Sequence, residues 1–241
     1  GNTTTQFSLD SQLNLNKFLP DAWNTNLPLR FSYNRNSSVP RIRRGSDIVL
    51  TQQQKSNESD IRSSSRFNIS LRKRPATENS RFIAKIFFDR INTSLNYTTN
   101  SSVNGAITRR RSSETQNLNG SFSYDLNWPQ KDGFLPFKWL PFYQTLKDVE
   151  IFYLPSSIRY NARFARNTRD QRSFSAVAGV SPDTIANLNE TFTLSETYSL
   201  KLAPLRSLNT DYTLSVNRDM RNSFAPTQFQ FGRETNRNQQ V

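Results

Sequence analysis

Residues 8–36, SLDSQLNLNKFLPDAWNTNLPLRFSYNRN, alternate between apolar and small polar side chains almost without a break. Phe7, Leu9, Leu13 and Leu15 fall on one side of an extended chain, and Asp10, Gln12, Asn14 and Asn16 on the other. After the connection from Pro20 to Asn26 the pattern resumes, with Leu27, Leu29, Phe31 and Tyr33 at every second place and Pro28, Arg30, Ser32 and Asn34 between them. Side chains of a strand point alternately to its two faces, so two such runs around a short Pro- and Asn-containing segment predict an antiparallel hairpin.

The same period recurs along the chain. SDIVLTQQQ places Ile48 and Leu50 on one side, and RFNISLRKR does so with Phe67, Ile69 and Leu71. In RFIAKIFFDRINTSLNYTTN, Phe82, Ala84, Ile86 and Phe88 give way to Ile91, Thr93, Leu95 and Tyr97. That change of parity predicts a bulge, tight turn or strand end near Asp89. The cleanest run carries Leu118, Gly120, Phe122, Tyr124, Leu126 and Trp128 against Asn119, Ser121, Ser123, Asp125 and Asn127. Further runs hold Val149, Ile151 and Tyr153; Ile158, Tyr160, Ala162 and Phe164; Leu188, Phe192, Leu194, Tyr198, Leu200 and Leu202; and Leu208, Tyr212, Leu214 and Val216. The expectation is about eight to ten strands of roughly 8 to 15 residues, where a tilted membrane crossing takes ~9–11.

Two kinds of connection separate these runs. Those around Pro155 and Pro204 are short enough for tight turns. Residues 36–46, 55–65, 103–116, 165–184 and 226–241 read as long polar loops. Short turns at one end and long loops at the other are the asymmetry of an outer-membrane barrel. Residues 129–148 form an aromatic and Pro-rich insertion, in which Pro129, Pro136 and Pro141 forbid a regular central strand.

Composition sharpens the choice between folds. Only 34% of the 241 residues are hydrophobic and the mean hydropathy is -0.73, poor material for an ordinary globular core. Disorder would predict few aromatics, yet 18 Phe, 8 Tyr and 3 Trp fall mostly within the alternating runs. No segment approaches the ~20 apolar residues of a spanning helix, so a membrane form of this chain would be built from strands. A soluble β-sandwich would also bury one face of each run. Its polar face would carry many Lys and Glu, whereas here that face is mainly Asn and Ser, as in a polar lumen.

The chain contains neither His nor Cys, which removes the usual catalytic bases, thiol nucleophiles and transition-metal ligands. Asp148 and Glu150 share a face of a presumed strand, but no nucleophile or ligand set accompanies them. No enzyme is expected, and no catalytic, cofactor-binding or metal-binding residue is nominated. The net charge of +13 raises nucleic acid as a partner, with Arg41, Arg43 and Arg44, the run from Arg72 to Arg74, and Arg109 to Arg111 as phosphate contacts. These clusters lie at strand ends or in connections and lack stacking aromatics, so no nucleic-acid partner is expected. Asn68-Ile69-Ser70 and Asn96-Tyr97-Thr98 are the sequons that an Asn- and Ser-rich chain contains by chance.

Leu19-Pro20, Pro28, Pro40 and Asp47 punctuate the opening segment, and FYLPSSIRYNARFARNTRDQRSF repeats the arrangement of an LPSS connection followed by a strand ending in Arg and Asn. These segments resemble the hairpin units of the SprA (Sov) family, the outer-membrane translocon of the type 9 secretion system, also linked to gliding motility. The resemblance covers most of the chain, through short motifs of common residue types. It implies an all-β fold, a segment of an antiparallel transmembrane β-barrel in the bacterial outer membrane. It also implies a protein-conducting channel with secreted cargo, plug or cap subunits and outer-membrane lipids as partners, and no cofactor. The family's barrel exceeds what residues 1–241 could form. The chain also starts at Gly1 without a signal peptide and ends on RNQQV without an aromatic strand end, so an internal piece of a longer chain is expected. The other readings are a soluble or surface-exposed all-β module, or a different outer-membrane barrel such as a lipopolysaccharide-assembly or nutrient-receptor barrel.

Overall fold

The computed structural model describes residues 2–20, 25–73, 90–105, 109–127, 133–136, 138, 149–175, 183–221, 224–225, 228–229 and 232–240. In chain order these give β1 (Asn2–Asn14), a 3-10 turn (Leu15–Phe18), β2 (Thr25–Asn26), β3 (Pro28–Pro40), α1 (Gln52–Glu58), β4 (Asp60–Lys73), β5 (Ile91–Asn104) and β6 (Arg109–Asn127). There follow β7 (Ser157–Ser175), β8 (Asp183–Leu205), β9 (Leu208–Asp219), β10 (Phe224–Ala225), β11 (Gln228–Phe229) and β12 (Arg233–Gln240). The fold is all-β and antiparallel. One sheet runs in the order β1-β3-β4-β5-β6-β7-β8-β9-β12, with β2 pairing beside it on β4, while β10 and β11 form a separate ribbon.

The hairpin expected at residues 8–36 is present, with Leu9 opposite Tyr33 and Leu13 opposite Leu29. Its first strand ends two residues earlier than the alternation suggests, because Leu15 and Asn16 enter the 3-10 turn while the Leu15 N–H donates to Leu27 O at 3.0 Å. Pro28 and Pro40 occupy the two ends of β3, where a missing donor does least damage to a ladder.

Several expected loops are strand. Residues 36–40 belong to β3, 60–65 to β4, 103–104 to β5, 109–116 to β6, 165–175 to β7, 183–184 to β8, 228–229 to β11 and 233–240 to β12. These extensions carry polar residues on both faces, so they have no alternation to betray them, and cross-strand backbone pairing continues regardless of side-chain polarity. Between Ile48 and Glu58 the correction runs the other way. Val49 makes only an isolated bridge to Ile42, and Gln52–Glu58 is helical behind a capping box between Thr51 and Gln54. The run holding Val149, Ile151 and Tyr153 is not a strand either; Ile151 forms a single bridge with Phe134. The parity change near Asp89, and the insertion at 129–148 apart from 133–136 and 138, lie outside the described residues.

The sheet is not closed among the described residues, and β1 and β12 are its edges. Nine strands that alternate in direction leave the first and last pointing the same way, so direct pairing of β1 with β12 would be parallel. An antiparallel closure takes an odd number of further strands.

Candidate functional site: the two faces of the sheet

Register sorts the side chains of the whole sheet onto two faces. One continuous row reads Leu13, Leu29, Ile69, Leu95, Gly120, Phe164, Leu194, Arg218 and Glu234. The next row on the same face holds Phe31, Phe67, Tyr97, Leu118, Arg166 and Phe192. On the opposite face Arg30, Asn68, Asn96, Asn119, Ala165 and Thr193 stand side by side, followed by Ser70, Ser94, Ser121, Arg163 and Ser195.

No second layer covers the apolar face among the described residues. Phe31, Tyr198 and Leu202, all on interior strands, remain 38%, 41% and 38% exposed. Among the described residues the buried apolar ones are Leu50, Leu126, Phe152, Val216 and Met220, scattered over the fold rather than gathered into a core. Left in water, such a face would forfeit about 25 cal/mol for each Å² it could have buried.

The apolar band crosses the strands obliquely. On β1, Phe7 and Leu9 lie above the Leu13 row, toward the end that carries α1, whereas on β9 Tyr212, Leu214 and Val216 lie below it. The band thus slips by roughly one residue per strand; with about 3.4 Å per residue and about 4.8 Å between strands, the strands lean about 35° from its normal. At that rise and lean, Leu118 to Leu126 would span about 22 Å along the normal and Phe192 to Leu202 about 28 Å, on either side of the ~25 Å apolar belt of an outer-membrane barrel.

Local contacts fit the faces. Phe122, Tyr160 and Tyr198 stack along the apolar band, with ring centroids 5.9 Å and 4.7 Å apart. The ring of Phe164 lies over Gly120, filling the gap where a Cβ is missing. Within this band stands Glu196, only 5% exposed. Its carboxylate accepts from Tyr160 at 2.9 Å, Tyr198 at 3.0 Å and Arg218 Nε at 3.1 Å. Three donors on one carboxylate make the charge tolerable in an apolar setting. The sequence pattern had marked both tyrosines as members of the apolar stripe but not their shared acceptor, because an isolated Glu in an alternating run has no periodicity of its own.

The polar face is held by short lateral bonds: Ser94 to Ser121 at 2.7 Å, Ser64 to Asn100 at 2.8 Å, Ser195 to Asn217 at 2.6 Å, and Asn167 to Asn117. Asn68 and Asn96, the first residues of the two sequons, stand on this face in β4 and β5. The basic clusters are distributed differently. Arg43 and Arg44 face Glu58 and Asp60, and the Arg44 pair is direct. Arg72 stands in β4, and Arg109 to Arg111 open β6. In the extension of β7 beyond the apolar band, the Arg172 guanidinium donates to the Asp170 carboxylate, which raises its pKa above the usual value. Among the described residues no three His, Cys, Asp or Glu side chains converge on a point. No protein-family model and no curated protein matches this chain.

Proposed function

We propose that this chain is part of the wall of a transmembrane β-barrel in a bacterial outer membrane, and that its polar face lines a protein-conducting channel of the type 9 secretion kind. The observation that carries the reading is the uncovered apolar band, whose height and oblique course suit a bilayer while the reverse of the same strands is Asn, Ser and Arg. Lipid chains occupy the apolar face in this reading, and secreted polypeptide passes along the other. Strands beyond β1 and β12 complete the ring, and plug or cap subunits close it. The conduit rests further on the resemblance of the hairpin segments to the SprA (Sov) family; translocation of this kind takes a lumen and gates rather than catalytic groups.

Because the chain has no Cys, a single introduced Cys reports one position. In the assembled protein, Cys at Phe122 or Tyr97 should react with a lipid-soluble maleimide and Cys at Ser123 or Asn96 with a water-soluble one. Equal aqueous reaction at all four positions would overturn the membrane reading. Cargo trapped during export should cross-link to the Asn96 and Ser123 positions. Lipid labelling without any cargo cross-link would leave a barrel of another function.

One observation favours the soluble or surface-exposed module as a second reading. β12, RETNRNQQ, is polar on both faces and exposed along its length, although it pairs with β9 beside the apolar band. The same labelling experiment separates the two readings.

A further inference from the structure

The carboxylates of the polar face are largely committed. Asp60, Asp125, Asp211 and Asp219 pair with Arg44, Arg159, Lys201 and Arg221. Arg30, Arg62 and Arg66 have no ion-pair partner among the described residues, and they stand together on two neighbouring strands. Arg30 is opposite Asn68, and Arg66 is opposite Ser32, so the guanidiniums are offset by one step on the same face. They line an open depression of about 690 Å³ with Gln12, Asn68, Asn96 and one carboxylate, Asp10. Arg62 lines a second depression of about 330 Å³ with Asn34 and Asn100, farther along β4.

A guanidinium offers only donors and is best satisfied by a carboxylate or phosphate. The flanking amides offer donors and acceptors together. A phosphate would satisfy the arginines and leave the amide oxygens without a donor. A polypeptide bearing carboxylates satisfies both, since its backbone N–H and C=O groups match the amides. Phe31 also borders the depression, but it is opposite Phe67 and belongs to the apolar face; no aromatic side chain of the described strands of the main sheet stands on the polar face to stack a base, which disfavours a nucleic acid. Arg62 and Arg66 are four residues apart on one strand, about 13 Å, the distance between positions i and i+4 of an extended peptide lying beside it.

We infer that this guanidinium and amide track binds acidic segments of an extended polypeptide. The identity of the biological ligand as exported cargo rests on the proposed channel, whereas the binding itself is a property of the track. The test uses the full-length protein in lipid nanodiscs and dye-labelled extended peptides carrying Glu at i and i+4, or Gln at the same positions, with binding read by anisotropy. The Glu peptide should bind roughly tenfold or more tightly than the Gln peptide, and its affinity should fall as salt is added. The double variant Arg30→Gln/Arg66→Gln should lose roughly tenfold in affinity, Arg30→Lys/Arg66→Lys less, and Arg43→Gln, off the track, nothing measurable. Far-UV circular dichroism of each variant verifies that the sheet is retained.

Equal affinity for the Glu and Gln peptides, or indifference to the double Gln variant with the sheet intact, would sink the inference. Displacement of the Glu peptide by inorganic phosphate at concentrations where sulfate and chloride do nothing would assign a phosphate site instead, and equally overturn it. The cysteine labelling is read separately. Peptide binding without lipid labelling preserves the track and removes the barrel, and the reverse pattern does the opposite.

Discussion

Phe122 and Ser123 are neighbours in sequence and face opposite ways, which makes them a paired test of the apolar phase. Phe122 lies midway along the Leu118 to Leu126 stretch, opposite Ala162 and against Tyr160, while Ser123 is opposite Asn92 and Asn161. Arg at Phe122 should cost about 2–4 kcal/mol in a membrane-assembly equilibrium, and Arg at Ser123 should be tolerated. Similar losses at both positions would contradict a lipid-facing band. Gly120 tests the same face by volume. A Cβ there would overlap the Phe164 ring, so Gly120→Ala should destabilise by about 1–3 kcal/mol. Combining it with Phe164→Leu should recover part of that loss, a coupling that two independent sites would not show. Glu196→Ala should be among the costliest single changes, about 3–5 kcal/mol, because Tyr160, Tyr198 and Arg218 converge on the carboxylate it removes. Glu196→Gln, which keeps an acceptor, should cost less.

At the scale of elements, strand identity was legible in the long runs with one apolar and one polar face, and not in the short ones at Ile48 to Leu50 and Val149 to Tyr153. The Leu118 to Asn127 part of β6, Ile158 to Phe164 in β7 and Leu188 to Leu202 in β8 keep the faces that their parity assigns. The upper halves of β6 and β7 were not legible, since Thr115 and Arg169 stand opposite each other on one face and Glu114 and Asp170 on the other. Nothing in such a segment distinguishes strand from loop until its neighbours supply the ladder. The helix α1 was missed for the opposite reason. Ile48 and Leu50 imitate a strand, but Thr51 and Gln54 close a capping box immediately after them. Thr51→Ala should therefore raise amide exchange across residues 52–58 by the equivalent of about 1 kcal/mol and leave exchange in β6 and β7 unchanged. Uniform exchange changes would show that α1 is not an independent capped unit. Arg43 and Arg44 are held to Glu58 and Asp60 at the two ends of the α1–β4 junction. Neutralising Arg41, Arg43 and Arg44 should accordingly leave no salt-dependent nucleic-acid binding to lose, as a filter-binding titration near physiological salt would show.

For the molecule as a whole, the unclosed sheet matters most. Among the described residues β1 and β12 each present an unpaired ladder, and unsatisfied backbone groups in hydrocarbon cost several kcal/mol apiece. Residues 1–241 alone should therefore aggregate without detergent and should not insert as a stable monomer, a result that sedimentation and liposome flotation would read. A monodisperse, cooperatively unfolding species in plain buffer would support the soluble module. The parallel sense of β1 and β12 adds a sharper requirement: disulfide mapping of any assembled barrel should find both edges paired to other strands and never to each other.

Side-chain alternation is a local property, so the sequence by itself determined that Leu9, Leu29, Phe67, Leu95, Phe122, Phe164, Leu194 and Leu214 would share one face of an antiparallel all-β fold. It also determined that the other face would be Asn- and Ser-rich. Where these residues stand relative to one another depends on register between strands, and register is fixed by pairing across tens of residues. Only the tertiary structure therefore decided that the apolar band runs obliquely from Phe7 on β1 to Val216 on β9. Pairing likewise brought Glu196 under Tyr160 and Arg218 from three different strands. It also set Arg30 beside Arg66, which the sequence holds 36 positions apart, because antiparallel β3 and β4 fold them onto adjacent rungs of one face.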